Sequence, residues 1–187
     1  MSTNESRRLM ESAWSTRRRA LSSPAGERAA SYAQAREDLV RAVELARSEE
    51  AVGDLAQALH LLANVEQDLE HTDAARALWV EAVGLLRGAE EPLQLAHKLR
   101  HLGDLDREAG RLDDAEAALV EVLRIYRSHA GTDPLDLANA LRRVALLAQA
   151  QGDPESARRH WREARQLYED LGIQDGVDEA DERLRSL

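Results

Sequence analysis

The chain has 187 residues, of which 43% are hydrophobic and 32% are charged, a balance typical of a folded globular protein rather than a disordered one. It contains no cysteine, which excludes disulfides, thiolate zinc sites and cysteine nucleophiles. The formal net charge is -10, which disfavours nucleic acid as the main partner because an acidic surface repels phosphate backbones. Strong helix formers dominate and phenylalanine is absent, which predicts an all-α protein.

The beginning of the chain is basic, unlike the rest of it. Residues 1–36 carry seven Arg and three Glu, whereas the other residues carry 18 basic and 32 acidic side chains. We predict one helix near 4–21 and a longer one near 27–48, because Ser23 and Pro24 interrupt the helical pattern between them.

Two alternative roles follow for the basic first helix. Met10, Ala13, Trp14 and Leu21 lie close to one side of it, and arginines occupy much of the rest. We favour a cap that packs on the following helix, because a helical array needs a cover over its first unit. The alternative is contact with anionic lipid or with a partner groove.

Membrane insertion and secretion are not expected. The sequence holds no run of 18 apolar residues, and its first two dozen residues hold no apolar core of a secretory signal. We therefore expect a cytoplasmic protein, in which the basic helix is the one candidate for membrane contact.

Six apolar or small positions recur in three successive segments, at offsets of 40 and then 42 residues. Within each segment these positions are three or four residues apart, and the spacing breaks once near the middle. Each segment is therefore predicted to be a pair of amphipathic helices. The three sets are Leu59, Leu62, Ala63, Ala75, Trp79 and Ala82; Leu99, Leu102, Gly103, Ala115, Leu119 and Val122; and Leu141, Val144, Ala145, Ala157, Trp161 and Ala164.

Capping residues mark the predicted helix ends. Asp133 and Asp153 each precede a proline, a combination that favours a helix start. Four glycines follow helical stretches and are expected to end them, namely Gly110, Gly131, Gly152 and Gly172. The predicted helices span 53–70, 73–88, 92–109, 113–129, 134–151 and 154–171, and a short helix follows at 175–186.

We expect these helices to form one continuous domain of five parts. Residues 35–45 match residues 75–85 at the same 40-residue offset. We therefore place a helix equivalent to the second helix of a pair before the first full repeat. The parts are 1–52, the basic helix with a degenerate leading repeat; 53–91, 92–133 and 134–173, three repeats; and 174–187, a capping helix.

The recurring pattern resembles the tetratricopeptide repeat (TPR), most clearly in Leu99-x-x-Leu102-Gly103. The period exceeds the family's usual length of about 34 residues, which indicates a long-repeat, bacterial type. The resemblance implies a right-handed α-solenoid of antiparallel helix pairs, with the first helix of each pair lining an inner groove. Departures from the family pattern are Glu66, Asp106 and Ala148 at its inner tyrosine, and Glu70 at its turn glycine.

The resemblance implies an interaction scaffold that binds a protein or peptide segment in this groove. The gathering of arginines and histidines there predicts a relatively positive strip with a preference for acidic segments. The alternative is a regulatory or sensory domain that binds a small ligand or a signalling peptide. Residues predicted to line the groove are His60, Asn64, Gln67, Asp68, His97, Arg100, His101, Asp104, Arg107, Glu108, Asn139, Arg142, Arg143 and Gln149.

Two sharper hypotheses concern the same residues. Some TPR domains grip an acidic C-terminus with five basic and amide side chains, and this chain matches that arrangement in type only at Asn64 and Arg143. His97, His101 and Asp104 are four and three residues apart, so one helical face could present them to a divalent metal. We favour ordinary polar groove residues over both.

Catalysis is not expected. A nucleophile elbow, a phosphate-binding loop and a dinucleotide fingerprint are all missing from the sequence, so we predict neither an enzyme nor a cofactor. Trp79 and Trp161 occupy equivalent repeat positions and are predicted to be packing residues. Imperfectly capped first or last helices would leave self-association open.

Overall fold

A computed structural model describes residues 3–187, with side chains from Glu5 onward, and this part of the chain forms nine α-helices and no strand. Every predicted helix is present with its ends within two residues of the prediction, which confirms the all-α fold. The helices are α1 (Thr3–Leu21), α2 (Ala25–Ser48), α3 (Val52–Asp68), α4 (Thr72–Arg87), α5 (Pro92–Glu108), α6 (Leu112–Ser128), α7 (Pro134–Ala150), α8 (Pro154–Asp170) and α9 (Gln174–Ser186).

The chain folds into two compact units, one ending at Glu90 and the other beginning at Glu91. The N-terminal unit contains α1 to α4, and the C-terminal unit contains α5 to α9. That the chain behaves as one continuous domain stays a prediction.

In the N-terminal unit, α1 packs along α2 and also touches α3. The two helices run antiparallel, because Glu5 of α1 pairs with Arg41 of α2 and Ser12 of α1 bonds Asp38 of α2. The fully buried Ser6 hydroxyl donates to the carbonyl oxygen of residue 42 at 3.1 Å. The apolar core collects Met10, Ala13 and Ala20 of α1 with Tyr32, Leu39 and Val43 of α2 and Leu55, Leu59 and Leu62 of α3.

In the C-terminal unit, α5 pairs with α6, α7 pairs with α8, and α9 packs on α8. Trp161 is fully buried among alanines of α7 and α8, together with Ala180 of α9. The last helix thus covers the apolar surface of the last pair. Two aspartates cap helix starts as predicted: Asp133 accepts from the Leu135 amide and Asp153 from the Ser156 amide.

Small residues allow close helix packing in this unit. A Cβ atom on Gly103 would lie 2.8 Å from Leu119 Cγ and 3.3 Å from the Ala118 Cβ atom. Gly176 of α9 faces the Tyr168 ring even more closely, with 2.5 Å between a built Cβ and Tyr168 Cγ. Both helix contacts therefore depend on the absence of a side chain.

Five turns share one backbone arrangement, in which a residue with positive φ follows the helix and the next amide reaches back to the carbonyl oxygen five residues earlier. The residues with positive φ are Glu50, Glu70, Gly110, Gly152 and Gly172, with φ between 54° and 76°. The donor and acceptor residues are 51 and 46, 71 and 66, 111 and 106, 153 and 148, and 173 and 168, at N···O distances of 2.8–3.1 Å.

Gly131 does not belong to this group, which corrects its predicted role as a left-handed helix end. Its φ is not positive, and its amide donates to His129 Nδ1 at 3.1 Å. The preceding helix ends instead at Ser128, after which His129 is extended.

None of the helices in residues 3–187 is long and apolar enough to cross a membrane.

Candidate functional site

The C-terminal unit brings together several of the predicted groove residues on α5 and α7. Asp104 of α5 joins the two helices, because its Oδ2 lies 2.7 Å from Arg143 Nη1 of α7. Its Oδ1 accepts from Arg107 Nη2 at 2.8 Å. One carboxylate thus holds two guanidinium groups in place on this face.

Arg142, the next predicted residue, is bound by a carboxylate of the last helix. Its Nε and Nη2 donate to the two carboxylate oxygens of Glu179 at 2.6 Å and 2.7 Å. This hydrogen bonding raises the pKa of Arg142 further. Sequence reasoning missed Glu179, because the apolar pattern of α9 indicates only a cover and a lone glutamate in an acidic helix carries no signal.

Two predicted amide side chains accept hydrogen bonds from aromatic residues of α8. Asn139 Oδ1 accepts from the Tyr168 hydroxyl at 2.9 Å, and Gln149 Oε1 accepts from Trp161 Nε1 at 3.1 Å. These bonds fix the two rings to α7. The amides therefore serve packing inside the unit as well as the polar surface.

Arg100 is buried rather than exposed on the face, with 9% of its surface accessible. Its Nη2 lies 3.4 Å from His97 Nδ1. Its charge lies near Tyr126, where burial raises the pKa of the phenol and Arg100 partly offsets that rise. Of the predicted arginines, Arg100 is thus the least accessible to a partner.

The two histidines of α5 are neutral at physiological pH. Burial lowers the pKa of His97 to about 4 and that of His101 to about 2, and the neighbouring Arg100 cation adds to both shifts. Their rings lie 4.9 Å apart at an interplanar angle of 62°. His97 and His101 therefore add no positive charge to this face near neutral pH, contrary to the expectation from the sequence.

The predicted metal ligands His97, His101 and Asp104 do not form a cluster. The described residues place no ligand atom of Asp104 close enough to both imidazoles to share an ion with them. The Asp104 carboxylate instead bonds Arg107 and Arg143. The described residues therefore give no support to Asp104 as a metal ligand together with the two imidazoles.

In the N-terminal unit, the predicted groove residues lie beneath or beside other side chains. His60 and Asn64 are each 8% exposed, with 3.2 Å between His60 Nε2 and Asn64 Nδ2. The His60 ring meets the edge of Trp79, with 4.7 Å between ring centroids. Asp68 accepts two hydrogen bonds from Arg17 of α1, at 2.6 Å and 3.1 Å.

A cleft of about 520 Å³ lies between α1 and α3 in this unit. Met10 and Leu61 supply buried apolar surface, and the indole of Trp14 is 42% exposed beside them. An ion pair between Arg7 and Asp54 lies at the rim. The complete lining is Arg7, Met10, Glu11, Trp14, Asp54, Gln57, His60 and Leu61.

Buried carboxylates occupy the positions where the family has its inner tyrosine. Glu66 accepts from Arg36 Nε and lies 2.7 Å from His71 Nδ1, while Asp106 accepts from Arg111 Nε at 2.7 Å. In both hairpins an acid near the end of the first helix bonds the residue five positions later. This recurring acid–base spacing was visible in the sequence and could have predicted both pairs.

Comparison with known proteins supports the repeat assignment. The sequence model of a tetratricopeptide repeat family matches residues 94–170. A search of curated protein sequences finds no match.

Two solved structures are similar in fold. The crystal structure of BtubC (BKLC) from P. vanneervenii matches with a TM-score of 0.70 and 20% sequence identity, covering 78% of this chain and 60% of that one. The crystal structure of MamA protein matches with a TM-score of 0.50 and 14% identity, covering 91% of this chain and 95% of that one. This chain thus spans less than two thirds of BtubC, and at these identities the likeness shows the TPR-like solenoid fold alone.

Proposed function

We propose that this chain, whose residues 94–170 match the sequence model of a tetratricopeptide repeat family, acts as a scaffold that binds a partner polypeptide segment on the first helices of its helix pairs. Such repeats are typically non-catalytic, and no catalytic step or cofactor enters this proposal. The proposed partner is a protein or peptide in the cytoplasm, met on the face that α5 and α7 form in the C-terminal unit.

The observation that carries the proposal is the set of partly exposed, preorganised charges on this face. Arg107, Arg142 and Arg143 are 17%, 26% and 25% exposed in their side chains, so each remains accessible while an ion pair fixes it. Side chains already held in one conformation lose little entropy when a partner binds. The apolar residues of the same helices, such as Leu99 and Leu141, are buried in the unit instead.

An acidic segment suits this face better than a basic one. A guanidinium has five N–H donors, and Arg143 uses one of them on Asp104. The remaining donors can bind a carboxylate of the partner. Asp104, Glu108 and Glu179 already pair with these arginines, so an acidic segment would bind through their remaining hydrogen-bond donors rather than through a net positive charge.

A capture experiment with matched variants tests the proposal. Full-length protein and the variant Arg107→Gln/Arg143→Gln would be compared for binding to lysate proteins and to acidic segments of whichever proteins are captured. We expect affinity to fall roughly tenfold, since hydrogen bonds to charged groups are lost. Asp104→Asn should instead raise the affinity for the partner, because it frees arginine donors without removing them.

The matched control is Arg124→Gln/Arg162→Gln, which removes two exposed arginines from the second helices α6 and α8. Equal losses in the control and in the first-helix variant would contradict binding on α5 and α7. Circular dichroism would confirm that all three variants keep their helices.

A second candidate function is regulation by a small ligand, and the cleft between α1 and α3 favours it. Its volume of about 520 Å³ lies within the usual range of small-molecule sites, and an aromatic ring and apolar side chains line it. Trp14 fluorescence during titration with small organic compounds would test this candidate. A ligand that changes this emission in the wild type, but leaves Leu61→Arg unaffected, would support the cleft as its site.

A further inference from the structure

The C-terminal half of α1 carries an exposed surface that the proposed binding on α5 and α7 leaves unused and that shares only Trp14 with the cleft between α1 and α3. We call it the tip surface. Each of its side chains is exposed, and the sequence around it is free of acidic residues from position 12 to position 26. Its residues are Trp14, Ser15, Arg18, Arg19, Leu21 and Ser22.

The arginines of α1 fall into two groups. Arg7 and Arg17 turn toward α3, where they bond Asp54 and Asp68. The other three arginines, at positions 8, 18 and 19, form no ion pair with any carboxylate within residues 5–187. The tip surface therefore keeps two uncompensated positive charges on a protein whose net charge is -10.

The apolar side chains of α1 also fall into two groups. Met10, Ala13 and Ala20 are buried in the core of the unit. Trp14 and Leu21 are 42% and 55% exposed, and they lie seven residues apart, so they project from one side of the helix with Arg18 between them. The helix thus has a packed side and a second, exposed side that is both apolar and basic, on which the Arg17 guanidinium lies 5.6 Å from the centroid of the Trp14 ring.

A hollow of about 430 Å³ lies within the tip surface. Its lining includes two arginines, three serines and one aromatic residue, namely Arg18, Arg19, Ser15, Ser22, Ser23 and Trp14. Arg19 Nη2 donates to Thr16 Oγ1 at 3.3 Å, which leaves its other N–H donors available. Guanidinium and hydroxyl donors around an open hollow are the chemistry that binds phosphate groups.

We propose that the tip surface docks on anionic phospholipid membranes. Arg18 and Arg19 bind headgroup phosphates, while Trp14 and Leu21 enter the interface between headgroups and acyl chains, where an indole is favoured. A bilayer surface satisfies the charges and both apolar side chains together. An acidic segment without apolar side chains would bind the arginines and leave Leu21 in water.

The acidic remainder of the chain sets how this contact depends on salt. At physiological salt, anionic lipid repels carboxylates only within a screening length of about 8 Å. Acidic residues elsewhere on the protein therefore weaken docking most at low salt, where the screening length is longer. Peripheral docking requires no spanning helix. It leaves the packed side of α1 in place and is independent of the proposed binding on α5 and α7.

Fluorescence and vesicle sedimentation test the proposal on the full-length protein. Trp79 and Trp161 are fully buried, so a change in tryptophan emission on adding vesicles reports Trp14. We expect vesicles of equimolar phosphatidylcholine and phosphatidylglycerol to shift the emission to the blue and to sediment the protein. Pure phosphatidylcholine vesicles should bind it at least about tenfold more weakly, because each surface arginine contributes about a factor of five.

Variants separate the parts of the surface. Arg18→Glu/Arg19→Glu should lower vesicle affinity at least about tenfold, and Leu21→Ser should lower it by a smaller factor. The control Arg124→Glu/Arg162→Glu makes the same charge change on α6 and α8 and should leave vesicle binding unchanged. Unaltered vesicle binding by the Arg18 and Arg19 variant overturns the proposal, provided that circular dichroism shows it folded.

Two other outcomes also overturn it. If neither kind of vesicle sediments the protein, the tip surface does not bind lipid. If a poly-glutamate peptide or inorganic phosphate reproduces the emission shift while vesicles do not, the hollow binds soluble anions instead of a membrane.

Discussion

Glu70, like Glu50, has a backbone conformation that disfavours a side chain. Its φ of 62° is in the left-handed region, where the equivalent turns after α5, α7 and α8 have glycine. A side chain there costs roughly 1–2 kcal/mol. We predict that Glu70→Gly raises the free energy of unfolding by about 1 kcal/mol, less than the full cost because glycine also increases the entropy of the unfolded chain. Chemical denaturation followed by circular dichroism measures this.

The control for this prediction is the reverse change at an equivalent turn. Gly110 has a φ of 76°, and a Cβ there would meet no atom within 4 Å, so Gly110→Ala tests backbone conformation without a steric clash. It should lower the stability by about 1 kcal/mol. A Glu70→Gly variant less stable than the wild type would show that the Glu70 side chain makes a contribution larger than its backbone cost.

Gly176 tests the close contact between α9 and α8. Alanine at this position would place a Cβ 2.5 Å from Tyr168 Cγ, so the ring must move and its hydrogen bond to Asn139 must lengthen. We predict that Gly176→Ala lowers the stability by roughly 1–3 kcal/mol. Gly84 of α4 has no atom within 4 Å of a built Cβ, so Gly84→Ala should instead raise it by up to about 1 kcal/mol. Equal changes in melting temperature for Gly176→Ala and Gly84→Ala would contradict this account.

At the scale of elements, two ion pairs connect α1 to α3 and differ in burial. The Arg17 and Asp68 side chains are both 18% exposed, whereas Arg7 is 63% exposed in its pair with Asp54. Double-mutant cycles should give a coupling energy of about 1–2 kcal/mol for the first pair and under about 0.5 kcal/mol for the second, because water screens exposed charges. Equal coupling energies would show that burial does not govern these contacts.

The helices were predictable because their signals are local. Apolar spacing of three and four, the capping residues Asp133 and Asp153, and glycines after three of the helices place the ends within two residues. The direction of the α1 arginines was not predictable. Arg17, Arg18 and Arg19 are adjacent and chemically identical, and only the position of Asp68 on a packed neighbour turns the first of them inward.

For the candidate site, helical periodicity predicts which side chains share a helix face but not which carboxylates neutralise them. Periodicity placed Arg142 and Arg143 on one helix face, as the structure has them. The carboxylates that neutralise them, Glu179 and Asp104, come from other helices, so their pairing depends on the packing of α5, α7 and α9. The sequence therefore overestimated the positive potential of this face.

At the scale of the whole molecule, His97 predicts how stability depends on pH. Its pKa is about 4 in the folded protein and 6.5 when unperturbed, so between these values the unfolded chain binds more protons. Stability is therefore fully present above pH 6.5 and falls as the pH decreases toward 4. We expect His97 to account for a loss of roughly 2 kcal/mol, less than its whole pKa difference because some water reaches the ring.

Urea denaturation at a series of pH values measures this, with His97→Gln as the comparison. The glutamine variant should lose less stability than the wild type over the same interval. Parallel curves for the two proteins would mean that other groups, such as the still more strongly perturbed His101, cause the whole acid effect.

The five turns closed by a backward backbone hydrogen bond have a consequence for solvent exchange. Amide protons at residues 51, 71, 111, 153 and 173 are held by these bonds. They should exchange with deuterium more slowly than those of Ala130 and Asp133, which donate no backbone hydrogen bond in the connection at 129–133. An engineer who inserts a tag or a foreign peptide should accordingly choose that connection and leave the tight reversals intact.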